Sequence, residues 1–124
     1  MAEASSRIPV RFILEGVGEA EGVLTKISAP LTVEAILRAL PLEGRAYPCP
    51  GGIYFIIGLR RGEEKSRRGV EAGTIAYWPM SDSICVFHSA STPYSPVNTI
   101  GKITKNLGLF RHLGSGVKIR VERL

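Results

Sequence analysis

Glycine and proline interrupt this chain so often that no apolar segment outlasts a short β-strand. The 124 residues include 14 Gly and 8 Pro, and the longest purely apolar run, residues 53–57, stops at Gly58. A membrane-crossing helix needs about 20 consecutive apolar residues, so none is expected. Between the breaks the segments alternate. Residues 8–14 set Ile8, Val10, Phe12 and Leu14 on one face of a strand, with Arg11 and Ile13 on the other. A Gly-x-Gly turn at 16–18 leads to a second strand near 22–26, and no helix follows it, which removes it as a nucleotide fingerprint. Residues 53–57 are apolar on both faces and read as a buried strand. Further strands are expected at 73–78, 84–88, 100–103 and 117–122.

One segment departs from a period of two. Over 31–40, Val33, Ile36, Leu37 and Leu40 recur at helical spacing, Thr32 stands where a cap is wanted, Glu34 falls in the first turn and Pro41 ends the run. This helix is a packing element, and a short helical turn is expected over 107–113. Seven or eight short strands, one helix and no repeat indicate a barrel or a sandwich. Apolar residues at 44% and charged residues at 22% fit a folded domain rather than a disordered chain. Residues 1–7 read as a flexible tail and 8–124 as one domain. The opening Met-Ala-Glu-Ala-Ser-Ser lacks the basic and apolar stretches of a signal peptide, so a cytoplasmic location is expected.

Little in the chain suggests metal or nucleophilic chemistry. Cys49 and Cys85 are too few for a disulfide scaffold; free thiols are expected, and a bridge between them stays open. Cys85 and His88 have attractive spacing, but residues three apart on a strand face opposite sides, so no metal site is expected. Asp82, the only aspartate, sits in a Ser-Asp-Ser turn and reads as a local hydrogen-bonder rather than a triad member. Gly101-Lys102 is followed by Ile103, which is no phosphate loop, and no cofactor is expected. The net charge of +5 comes largely from residues 60–69, where Arg60, Arg61, Lys65, Arg67 and Arg68 accompany two acids. We read this stretch as a hairpin tip with solvated charges, and polyanion binding as its alternative. No aromatic residue is interleaved for base stacking, so nucleic acid is not an expected partner.

The segment Gly-Thr-Ile-Ala-Tyr-Trp-Pro at 73–79, then Ile-Cys-Val-Phe at 84–87 and Ile-Gly-Lys-Ile at 100–103, resembles the central block of cyclophilins. The helix segment looks like the cyclophilin helix after its Pro-Lys-Thr turn. The whole is most similar to the small, atypical cyclophilin-like proteins, over about residues 8–123. The resemblance implies a closed β-barrel of about eight mostly antiparallel strands with one long helix. It also implies peptidyl-prolyl isomerase activity or binding of a proline-containing peptide or small apolar ligand. In cyclophilins an arginine withdraws electron density from the prolyl nitrogen; the only candidate here is Arg45, eight positions before Ile53. The strand at 53–57 has neither the Gln nor the Asp of orthodox cyclophilins, and Trp78-Pro79 stands where they carry Ala-Asn. If that register holds, Tyr54, Trp78 and Phe87 floor an outward groove, with His88 a rim residue that alternation turns to the opposite face. The alternatives are a ligand- or protein-binding module without isomerase chemistry and a polyanion binder using 60–68. A homodimer through the apolar groove stays open.

Overall fold

Alternation in the first hairpin divides inside from outside. In the computed structural model, which describes residues 7–124, β1 (Arg7–Leu14) buries Val10, Phe12 and Leu14 and turns Arg11 and Ile13 outward. The expected tail lies outside the described residues, apart from Arg7, where β1 begins. β2 (Gly18–Thr25) returns antiparallel and buries Ala20 and Leu24 on the same side. Seven more strands follow: β3 (Leu42–Arg45), β4 (Tyr47–Cys49), β5 (Gly52–Ile56), β6 (Thr74–Trp78), β7 (Ser83–Phe87), β8 (Asn98–Lys105) and β9 (Lys118–Arg123). All pairings are antiparallel, in the order β3-β9-β1-β2-β8-β6-β7-β5-β4.

The two edge strands of that order are neighbours in the chain, and this closes the barrel. Residues 42–49 run extended, pairing first with β9 and then, past Ala46, with β5. At the crossing Ala46 is buried, donates its amide to Val117 O at 2.8 Å and accepts from Gly116 N at 2.7 Å. Counting β3 and β4 as one bent strand gives eight staves, as the resemblance implied. Neither piece is among the strands that alternation predicts. In β4 the reason is Pro48: proline has no ladder donor, and within a sheet it is confined to edges and bulges.

Each end of the barrel is stoppered. α1 (Pro30–Ala39) inserts Val33 and Ile36 into the core at one end, as the periodicity predicts. At the other, a 3-10 turn over Leu107–Phe110 lays Phe110 edge-on against Phe12, ring centres 5.9 Å apart. The predicted cap requires correction. Pro30 occupies the first turn, Ala29 is the cap position and offers no side-chain bond, and Thr32 lies inside the helix, with no acid in its first turn. The cap comes from the basic segment instead. Glu64 accepts the amides of Leu31 at 3.1 Å and Thr32 at 2.8 Å, and the Thr32 hydroxyl at 2.8 Å.

That segment is no hairpin. Residues 57–73 form an irregular strap that crosses the helical end and then runs down the outer wall, bridging Arg67 to Val97 and Val70 to Ser91. Its amides are held by side chains from the barrel: Leu59 and Arg60 by Asp82 Oδ1, Arg61 by the Tyr77 hydroxyl, Glu64 by Asn98 Oδ1. A hairpin would pair such amides within its own ladder; side-chain acceptors leave no trace in hydrophobic periodicity. Strap and outer wall enclose a second, smaller core of Val70, Ala76, Trp78, Cys85, Phe87 and Val97. This second core is why β6 and β7 are buried on both faces.

Candidate functional site

The outer face of β5, β6 and β7 gathers the aromatic residues that alternation assigns to it. Ile53 and Phe55 point into the barrel and Tyr54 points out; Tyr77 points in and Trp78 out. Beyond the edge of the second core these outward rings open into a shallow cleft of about 350 Å3, lined by Pro48, Cys49, Pro50, Tyr54, Trp78 and Tyr94. The Tyr54 and Trp78 rings meet edge to face with centres 5.6 Å apart. Tyr94 tilts over Trp78 at 6.4 Å and is 75% exposed, while Tyr47 flanks Tyr54 at 6.0 Å. Trp78 itself is only 8% exposed, so the cleft presents part of an indole held on both sides. Its Nε1–H donates to Ser95 Oγ at 2.5 Å, and that hydroxyl donates to Met80 Sδ at 3.1 Å. A ligand therefore meets the ring, not the indole donor.

Of the four expected groove residues, Tyr54 and Trp78 line this cleft. Phe87 does not: at 1% exposure it is sealed in the second core with Val70 and Val97, beneath the strap. His88 stands on the opposite face, half-buried at the 3-10 end of the barrel, with Nδ1 3.0 Å from Ser89 Oγ. Burial depresses its pKa, and the nearby charges of Arg111 and His112 add to the effect. Arg45 donates to Gly116 O at 2.9 Å across the β3–β9 seam, is exposed there and lines no part of the cleft. Arg60, Arg61, Lys65, Arg67 and Arg68 all present exposed side chains along the strap, while the strap's backbone is docked.

Sequence reasoning missed Tyr94 and Ser95, placed in an open loop between Pro93 and Pro96. An aromatic residue between two prolines, where turns favour small polar residues, was the available signal. Asp82, expected to bond locally within its turn, instead accepts with one oxygen from Leu59 N and Arg60 N, far away in sequence, as well as from the Tyr77 hydroxyl, and so anchors the strap. Cys49 and Cys85 are free thiols; burial raises the pKa of Cys49 to about 11, and burial followed by the neighbouring Cys49 raises that of Cys85. Among the described residues no helix is long and apolar enough to cross a membrane.

An eight-stave antiparallel barrel, stoppered by one helix and carrying an aromatic cleft on its outer wall, defines a cyclophilin-like fold. The chain belongs to the cyclophilin-like family, whose model matches residues 8–122. The hypothetical protein AF2241 from Archaeoglobus fulgidus, known from a solution structure, is 34% identical over 96% of each chain, with a TM-score of 0.82. McbB, in a structure in complex with tryptophan, shares the fold with a TM-score of 0.76 and 17% identity, over 92% of this chain and 44% of its own. No curated protein matches the sequence.

Proposed function

We propose that this protein is a binding module for proline-containing peptides and that the aromatic cleft is its site. The observation that carries the reading is the cluster of Tyr54, Trp78 and Tyr94 around a cleft edged by Pro48 and Pro50. Rigid rings bind a pyrrolidine at little entropic cost, and a polyproline segment is already ordered before it docks. Tyrosine hydroxyls at the margin supply polar contacts to peptide carbonyls. Isomerisation asks for more, namely a donor at the imide nitrogen. Arg45, the expected donor, is engaged at the β3–β9 seam, which favours binding over catalysis.

Trp78 is the only tryptophan, so its emission reports on the cleft alone. Titration with a proline-rich decapeptide should change that emission saturably. Tyr94→Ala should weaken binding roughly tenfold, the scale of one lost aromatic contact. L-Tryptophan serves as a competing small ligand, prompted by McbB. A prolyl isomerisation assay at low temperature is expected to show no acceleration. Acceleration abolished by Arg45→Ala would replace this reading with an isomerase, and an unresponsive Trp78 would discard the cleft as a peptide site.

A further inference from the structure

A second cavity, of about 580 Å3, lies on the outer wall and shares no residue with the aromatic cleft. Its floor is the outward side of three adjacent strands, from Val23 and Thr25 on β2, across Thr99 on β8, to Thr74 on β6. The strap walls one side at Arg67 and Val70, and Ile27 and Ser28 wall the other. Topology dictates this concavity, because β2 and β8 are barrel neighbours and the strap descends beside them, anchored by its bridges to Val97 and Ser91.

The lining is chemically one-sided. Arg7, Arg67 and Lys102 contribute three positive charges against the single Glu71, and none of the four joins an ion pair among the described residues. Thr25, Thr74 and Thr99 make no side-chain hydrogen bond among those residues. Thr74 carries the most weight. Only 8% of its surface is exposed, and it lines the cavity. Its hydroxyl is not among the sealed, unpartnered atoms of the described residues, which leaves it available to a ligand. Val23, Ile27 and Val70 add apolar surface between the polar groups.

We propose that this cavity binds a small organic anion, a carboxylate or phosphate monoester with an apolar body. The anionic head accepts from the threonine hydroxyls and is compensated by Arg67, Lys102 and Arg7. The apolar body covers Val23 and Ile27. Bases rimming a low-dielectric floor attract an anion more strongly than the same bases on an open surface, and added salt weakens the attraction. The site is independent of the peptide reading, because the two linings share no residue and this one holds no aromatic side chain.

The test is a titration of the 15N-labelled protein followed by amide chemical shifts, with benzoate and phenyl phosphate as probes and benzyl alcohol as the neutral control. Saturable shifts at Val70, Thr74 and Thr99 are expected with at least one anion, and none with benzyl alcohol at equal concentration. A response to phenyl phosphate alone assigns a phosphate monoester, and a response to both assigns either head group. Lys102→Ala, on an exposed side chain, and Thr74→Val, which keeps the side-chain shape, should each weaken binding by about tenfold, the scale of a hydrogen bond to a charged group. Both variants must keep the parent's dispersed spectrum. No saturable shift from either anion, an equal response to benzyl alcohol, or affinity unchanged in both variants would overturn the proposal.

Discussion

At the scale of single residues, the hydroxyl of Tyr77 couples the strap to the main core. The ring is fully buried in the main core, yet its oxygen donates to Asp82 Oδ1 at 2.6 Å and accepts from Arg61 N at 2.9 Å. Burial first, and then the hydrogen bond and charge of Asp82, raise its pKa from 10.0 to about 12. The sign follows directly. A folded-state pKa above the unfolded one favours the protonated fold, so this stabilisation is complete below pH 10 and is lost as pH rises toward 12. Tyr77→Phe should cost about 1–2 kcal/mol at neutral pH through the lost bonds. It should also lose stability less steeply between pH 10 and 12, which urea unfolding of both proteins across that range would check. If the two pH profiles stay parallel, the phenol does not couple strap to barrel. The residue scale is also where the site was half legible. Strand alternation sent Tyr54 and Trp78 outward, as found. It could not say that Val70 and Val97, far along the chain, would cover Phe87, because burial by a loop carries no periodic signature.

Among the elements, α1 and the strap depend on each other. The helix begins Ala-Pro-Leu-Thr and has no local side chain to satisfy its first amides, so Glu64 must supply the acceptor from a segment more than thirty residues away. Desolvation pushes the Glu64 pKa up, but the bonds from Leu31 and Thr32, with the charge of Arg61, outweigh it and hold the carboxyl below its usual value. A depressed carboxylate pKa gives stability that is present above the unfolded-state value and fades as pH falls through the folded one. Glu64→Ala should therefore destabilise by about 1 kcal/mol at pH 7, as lost caps do. The gap between variant and parent should close as pH is lowered below the normal glutamate range, which thermal unfolding at pH 7 and pH 3 would read. A gap that persists at pH 3 would mean that Glu64 acts through packing instead. The helix was legible from its period and from Pro41, which follows it. Its true cap was not, because Thr32 satisfies the local rule for a cap while serving as the helix's handle on Glu64 and Asn98.

For the molecule as a whole, the decisive event is closure. The bent strand over 42–49 passes from its ladder with β9 to its ladder with β5, and β3 packs against β5 at a seam without a ladder between them. β3 and β5 are not hydrogen-bonded neighbours, yet a Cβ at Gly44 would stand 2.8 Å from Ile56 O and 3.3 Å from the Phe55 side chain. The two strands approach this closely because residue 44 has no side chain to hold them apart. A methyl there must displace backbone, and overpacking of this kind costs about 1–3 kcal/mol. Gly44→Ala should accordingly lower the urea midpoint. It should also lower the exchange protection of the β4 and β5 amides, which lie beside the seam, more than that of β1 and β2 on the far wall. Gly62 is the matched control, since a Cβ there meets nothing within 4 Å. Gly62→Ala, in the strap, should be neutral or stabilising by up to about 1 kcal/mol through the stiffer unfolded chain. Equal effects from the two substitutions would trace the loss to glycine's backbone freedom rather than to the seam. A selective loss at Gly44 would show that the aromatic cleft, whose Pro48, Cys49 and Tyr54 belong to β4 and β5, owes its shape to a contact on the other side of the same strands.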